Sequence, residues 1–333
     1  MIRCRKSALT LSYSRLRRRL LIACCIFGLI VMINAVMVNP LQAKAQQVGG
    51  NSFFDRLGPN DPLFFASDGY GNGSPFINAW KSDHVTFPDH HMELTLDNQP
   101  NFGFQYTSGE YRTHGFYGYG IYAVRMKPNN QHGVISSFFT FAGPFDAPSG
   151  ATICTPQQQP GSQQGVHHNE IDIEFLNKDN GPVDAQGQPI PQMQVNFYTN
   201  DDAFKQRHEF LVPLPFNPAD AYHMYGFAWT QTGIAWFVDG RIVHRVANTA
   251  ADPTPNDGST TGLDCSHTTQ RILMNLWGDD GSSPGIIGFG GTFNYAQSAA
   301  QKKAPMHADY SWVGYLGFQG DLDKAVSSFS SGN

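Results

Sequence analysis

The stretch His168-Asn169-Glu170-Ile171-Asp172-Ile173-Glu174-Phe175 constrains this chain more than any other. Polar and apolar residues alternate along it with the period of a β-strand, whose side chains point to opposite faces in turn. Ile171, Ile173 and Phe175 fall on one face and belong in a core. Glu170, Asp172 and Glu174 fall on the other, each about 6.6 Å along the strand from the next. Like charges that close raise one another's pKa and cost stability. A merely solvated face would mix in Lys, Thr or Ser, so the crowding calls for a chemical reason.

Two carboxyl groups that divide the roles of nucleophile and acid/base are what cleavage of a glycosidic bond requires. On a flat strand the Cα atoms of Glu170 and Glu174 would stand about 13 Å apart. Side chains leaning together on a curved sheet close the carboxyl gap to the roughly 5 Å of a retaining enzyme. Asp172, between them, can hydrogen-bond one neighbour and keep the pair in different protonation states.

The remaining composition agrees with a β protein. In 333 residues there are 34 Gly and 21 Pro, with 13% aromatic and 15% charged residues, a balance that favours turn-rich sheets over helices. Residues 1–45 read separately: eight Lys and Arg, no acid, an apolar run from Leu20 to Val38, then Ala43-Lys44-Ala45. This is the order of a secretory signal, with an uncleaved anchor as the alternative because the run is long. Without those cations, 14 Lys and Arg face 27 acids, a formal charge of −13. So acidic a body with no basic run does not suit nucleic acid or an anionic membrane. The expected location is secreted or periplasmic, with membrane attachment only if the leader stays uncleaved. Of five cysteines, Cys154 and Cys265 remain beyond the leader, and an oxidising compartment suggests that they pair.

Short strands divided by Gly, Pro, Asn and Asp are expected at Phe76–Trp80, Val85–Phe87, Met92–Leu96, Tyr117–Met126 and Val134–Phe141. After the acidic stretch they continue at Gln192–Thr199, His208–Val212, His223–Trp229, Gly233–Val238, Arg241–Val246, Arg271–Trp277 and His307–Tyr315. No long helical period or internal repeat interrupts them, which predicts one all-β sandwich over residues 46–317 and a polar, Ser-rich tail over 318–333. Two long loops, Pro144 to His168 and Asn248 to Thr269, each carry one of the two cysteines. Loops of that length in a compact domain are usually functional or tied down.

Beyond the acidic strand, the chain carries Gly49-Gly-Asn-Ser-Phe-Phe-Asp55, Tyr117-Gly-Tyr-Gly-Ile-Tyr-Ala-Val-Arg-Met-Lys-Pro128, Ser136-Ser-Phe-Phe-Thr-Phe-Ala-Gly-Pro144, Val195-Asn-Phe-Tyr-Thr-Asn200, Trp236-Phe-Val-Asp-Gly240 and Met274-Asn-Leu-Trp277. With these in order over residues 48–316, the sequence resembles glycoside hydrolase family 16, and most closely its bacterial endo-1,3-1,4-β-glucanases, the lichenases. The resemblance implies a concanavalin-like β-jelly-roll of two curved antiparallel sheets with a concave sugar-binding groove. It also implies a monomeric enzyme acting on β-glucan. Glu170 matches the nucleophile, Asp172 the supporting acid and Glu174 the acid/base. Tyr70, Asn72 and Phe76 match a wall beside the non-reducing glucose units, and Glu110 and Arg112 a charged pair in the groove floor. Phe139, Phe141, His168, Asn196, Tyr198, Asn275 and Trp277 match further substrate-contacting positions. Flat apolar sugar faces suit aromatic rings, while hydroxyls need fixed polar partners.

The sequence also departs from the lichenase pattern. His168-Asn169 stands where lichenases have Trp-Asp, which alters a sugar subsite. The usual cysteine pair falls at Asn78 and Ser108, and both long loops exceed lichenase length. The calcium-binding Asp falls at Ser311, with Asp309 two residues away, so structural calcium is left open and no cofactor is required. His167-His168 has no HExxH or other ligand spacing, and no metal is assigned to it. Three other readings stay compatible with the motifs: a depolymerase of a bacterial exopolysaccharide, a transglycosylase, and a non-catalytic carbohydrate-binding protein. The crowded acids argue against the last.

Overall fold

Alternating apolar residues build two sheets that share one core. The computed structural model of the chain describes residues 52–146, 167–176, 184–187, 190–258, 268–282, 290–296 and 305–325. The leader and both cysteines of the expected Cys154–Cys265 bridge lie outside the described residues. The sheet that carries the acids consists of β2 (Phe64–Ala66), β7 (Glu110–Thr113), β9 (Val134–Ala142), β10 (Asn169–Leu176), β11 (Gln192–Tyr198), β12 (Phe210–Pro213) and β16 (Arg271–Gly278). Its order is β12-β11-β10-β9-β16-β7-β2, antiparallel throughout, with β10 near the middle.

The second sheet holds β1 (Phe53–Asp55), β3 (Asn78–Trp80), β4 (Val85–Thr86), β5 (Met92–Asp97), β6 (Tyr106–Ser108), β8 (Gly120–Lys127), β13 (His223–Thr230), β14 (Gly233–Val238), β15 (Arg241–Ala247) and β17 (Met306–Gly317). Its spine runs β15-β14-β13-β8-β17-β5-β6-β3, with β1 on β17 and β4 on β5. The expected all-β sandwich is therefore present, and most strands keep their expected limits within a residue or two. The expected strand from Phe76 starts only at Asn78, because Phe76 N–H closes a turn onto Gly73 O at 2.8 Å. β1, β2, β6 and β7 have no counterpart in the sequence reading, since three or four residues are too few to show an alternation. Between β6 and β7 the chain passes from one sheet to the other at Gly109, where a Cβ would collide with the His84 carbonyl.

Ile171, Ile173 and Phe175 are at most 1% exposed and join the core that the second sheet covers with Phe227, Trp236 and Tyr310. Burying each such side chain is worth roughly 1.5–3 kcal/mol. Two of the covering residues also reach across by hydrogen bond. Trp236 Nε1 donates to Asp172 O at 3.0 Å. The Tyr310 hydroxyl lies 3.0 Å from Ser137 O and 3.3 Å from Asn275 O. The backbones of β10, β9 and β16 are thus held from behind by the opposite sheet. In the segment expected as a tail, the described part (318–325) is pinned: Leu322 N–H donates to Thr232 Oγ1 at 2.8 Å, and Asp323 pairs with Arg245 at 2.6 Å.

Candidate active site

Cross-strand register assembles the site from residues distant in sequence. Glu170 lies opposite Tyr198 on β11 and Phe141 on β9; Asp172 opposite Asn196 and Phe139; Glu174 opposite Gln194 and Ser137. β16 extends these rows with Arg271, Leu273 and Asn275, and β7 sets Arg112 beside Leu273 and Glu110 beside Asn275. Directly opposed residues share a face of the sheet. Three rows of side chains therefore cross the outer face, with one acid of β10 in each.

The three acids have different partners. Burial raises the pKa of Glu170, a hydrogen bond from Asp172 works against that rise, and the charges of Glu174 and Glu110 add to it. Asp172 is 4% exposed, and burial followed by the charge of Glu170 pushes its carboxyl well up; Asn196 donates to it in the opposite sense. Glu174 is also pushed well up, by burial first and then by the charge of Asp172, while Gln194 Nε2 donates to its Oε2 at 3.2 Å and favours the carboxylate. A crowded trio of this kind, with Asp172 buried and Glu170 and Glu174 partly buried, holds protons near neutral pH that isolated carboxyls would lose, which is what an acid catalyst beside a carboxylate needs.

His168 lies at the Glu170 end of this strand and is 2% exposed. Its Nε2 is 2.5 Å from Glu170 Oε2 and its Nδ1 is 3.1 Å from Asp201 O. The rings of Phe204, Tyr198 and Phe141 surround it at 4.6, 4.9 and 5.3 Å. Burial lowers its pKa to about 4. The neighbouring His167 is turned to Asp202 at 2.6 Å.

At the other end of the rows, Glu110 is 3% exposed and fully engaged. Ser67 Oγ and Tyr70 Oη donate to its Oε1 at 2.6 and 3.3 Å, and Asn275 Nδ2 to its Oε2 at 3.2 Å. Burial and the Glu110 charge push the Tyr70 hydroxyl up to about 12, so it stays a donor. Arg112 lies over the Phe65 ring at 4.9 Å and donates to Asp146 Oδ2 at 3.2 Å. Asn72 Oδ1 accepts from Trp80 Nε1 at 3.1 Å. Phe76 and Trp277 pack at 4.1 Å in a cluster with Trp80, Ile135 and Leu176; Trp277 is only 3% exposed, whereas Phe76 is half-buried. The structure thus brings every residue singled out in this region of the sequence to one face of one sheet or to the loop bordering it.

Several residues with a part in the site carry no motif signal. Gln194 is one, although its two-residue step from Asn196 and Tyr198 on β11 could have exposed it. Phe204 is another: it is 53% exposed, has a left-handed φ of 52° and sits against His168 and Tyr198 in a segment without strand pattern. Arg271 clasps Asp146 with bonds of 2.7 and 2.8 Å. At the position left open for calcium, Arg125 Nη1 donates to Ser311 Oγ at 3.4 Å, while nearby Asp309 pairs with Lys127 Nζ at 2.6 Å and groups with His91 and Glu93 in an arrangement whose ligand atoms could hold a cation.

Comparison with known proteins accords with this geometry. Residues 72–297 match the sequence model of the glycosyl hydrolases family 16. The Bacillus subtilis (strain 168) beta-glucanase is 34% identical over 275 residues, 82% of this chain and 89% of that protein. The structure of Bacillus licheniformis beta-glucanase superimposes with a TM-score of 0.58 at 32% identity, covering 81% of this chain and 99% of that one. A prokaryotic beta-1,3-1,4-glucanase (lichenase) from a mouse hindgut metagenome gives 0.58 at 29% identity, over 80% and 99%.

Proposed function

This chain belongs to glycosyl hydrolase family 16, and from that premise we propose that it is an exported, retaining endo-β-glucanase that cleaves mixed β-1,3-1,4-linked glucan by double displacement. The observation that carries the reading is the row of Glu170, Asp172 and Glu174 on one outer face, each with its own hydrogen-bond partner. Glu174, held protonated, gives its proton to the glycosidic oxygen as Glu170 attacks the anomeric carbon. Glu174, now a carboxylate, then takes a proton from the water that releases the glycosyl group. Phe139, Phe141, Tyr198 and the polar pair Asn196 and Asn275 supply apolar and hydrogen-bonding surface for the sugar rings on either side. Export rests on the basic, apolar and Ala43-Lys44-Ala45 order of residues 1–45.

Chemical rescue tests the assignment. Glu170→Ala loses hydrolysis and, with azide and an activated aryl glycoside, yields a glycosyl azide of inverted configuration. Glu174→Ala yields the β-azide of retained configuration. Near-normal hydrolysis by Glu170→Ala would refute the assignment. Product analysis on barley mixed-linkage glucan, laminarin and an acidic exopolysaccharide settles the linkage.

A further inference from the structure

A histidine ring offers two nitrogens, and fixing one decides what the other does. Nδ1 of His168 faces the backbone carbonyl of Asp201 at 3.1 Å, and a carbonyl only accepts, so Nδ1 carries a hydrogen. Nε2 then faces Glu170 Oε2 at 2.5 Å. Two lone pairs cannot meet at that distance, so one proton lies between them. The ring has nowhere else to turn. It is 2% exposed and enclosed by Phe141, Tyr198 and Phe204. The backbone of His168 is held as well: its N–H donates to Asp202 Oδ1 at 2.7 Å, and its carbonyl accepts from Asp201 N–H at 3.1 Å.

From this geometry we propose that His168 is the positioning residue of the nucleophile, sharing one proton with Glu170 and, by holding it on Nε2, leaving Glu170 a carboxylate anchored through Oε2. The proposal rests on the reading of Glu170 as nucleophile. In the resting pair the proton is on the carboxyl: burial raises Glu170 and lowers His168, which favours the uncharged form of each. Transfer of that proton from Oε2 to Nε2 makes an imidazolium and a carboxylate. Oε1 then forms its bond to the anomeric carbon while the glycosidic C–O bond breaks and Glu174 protonates the leaving oxygen. When water displaces Glu170, the carboxylate returns to the same Nε2–H donor. The charged or titratable groups facing the pair are Asp172 and Glu174 on β10, Tyr198 on β11, Asp201 and Asp202 in the turn after it, and Glu110 on β7. β9 contributes only the Phe141 ring. Of the nearby cationic groups, Arg271, in the Glu170 row on β16, is clasped to Asp146 and His167 is turned to Asp202, so among the described residues His168 is the one in hydrogen-bond contact with the Glu170 carboxylate.

His168→Gln tests the idea, since Gln can donate one neutral hydrogen bond but cannot hold the proton. Without the imidazolium, Glu170 gives up its proton less readily, and the acid limb of the kcat/KM profile on an aryl β-oligoglucoside should move to higher pH by ~1 unit or more. A limb left in place in a folded variant overturns the proposal. If the variant does not fold, 15N-histidine NMR of the full-length wild-type protein reads the same contact: the His168 Nε2 resonance should shift on Glu170→Gln, and an unchanged resonance is equally fatal. Glu170→Ala separates the two levels. If that variant keeps hydrolysing, the nucleophile reading falls and this proposal with it. If azide rescues it while His168→Gln keeps its acid limb, only the role of His168 is lost.

Discussion

Gln194→Leu isolates a hydrogen bond that favours the charged form of Glu174, the proposed acid/base. Gln194 is 1% exposed, and its Nε2 donates to Glu174 Oε2 at 3.2 Å. Its Oε1 is buried with no hydrogen-bond partner among the described residues, so Leu removes an orphan acceptor as well as the donor, and the fold should lose little. A hydrogen bond to a charged group contributes ~1.5–3 kcal/mol, and at 3.2 Å the lower end applies. At 1.36 kcal/mol per pKa unit, about 1.5 kcal/mol corresponds to roughly one unit. The sign follows from the direction of the bond. Losing a donor destabilises the Glu174 carboxylate, raises an already raised pKa further and keeps the acid protonated to higher pH. The basic limb of kcat/KM, which reports the acid in the free enzyme, should therefore move up by about one unit. The assay is a pH series on an aryl β-oligoglucoside, with the melting temperature as a check on folding. A basic limb that stays in place or moves down would refute both the role of Gln194 and the choice of Glu174 as the acid.

Asp172→Asn works in the opposite sense, because it removes a charge that raises Glu174: the same limb should move to lower pH and turnover should fall, as a pH–rate profile will show. Trp236→Phe leaves the Asp172 carbonyl without its indole donor and opens space in the core, for a combined loss of ~2–3 kcal/mol. For a domain of this size that corresponds to a fall in melting temperature of about 4–5 °C by calorimetry. Phe204→Ala removes an exposed ring beside Tyr198 and should raise KM about fivefold, equivalent to ~1 kcal/mol of stacking, with some fall in kcat because the same ring encloses His168. Steady-state kinetics on glucan oligosaccharides decides it, and a fall confined to kcat would exclude a binding role.

The acids were legible because a strand advertises its two faces locally: Ile171 and Ile173 mark the core side, so Glu170, Asp172 and Glu174 must share the other. The long alternating strands declare themselves in the same way. β7 does not, since Glu110–Thr113 is four residues long, and family resemblance alone places Glu110 in the groove floor, with nothing local to show that Ser67, Tyr70 and Asn275 close on it. Those partners come from 43, 40 and 165 residues away, and no local pattern encodes them. The His168–Glu170 contact was hidden for a different reason. The two residues are neighbours on one strand, but the bond depends on a ring orientation fixed by Asp201 and Phe204, in a turn that carries no periodicity.

The indole of Trp236 and the hydroxyl of Tyr310 reach the carbonyls behind Asp172, Ser137 and Asn275 from the opposite sheet. For anyone reshaping this enzyme, the groove is therefore not the whole of what can be varied: two buried core residues belong with it. A library restricted to sugar-facing positions would leave untouched two side chains that brace the acid-bearing β10, through Trp236, and the neighbouring β9 and β16, through Tyr310. Grafting the groove strands onto another sandwich would fail for the same reason unless both were carried along. Conversely, paired changes at Trp236 and Tyr310 offer a route to retune pH response while every sugar contact keeps its native residue.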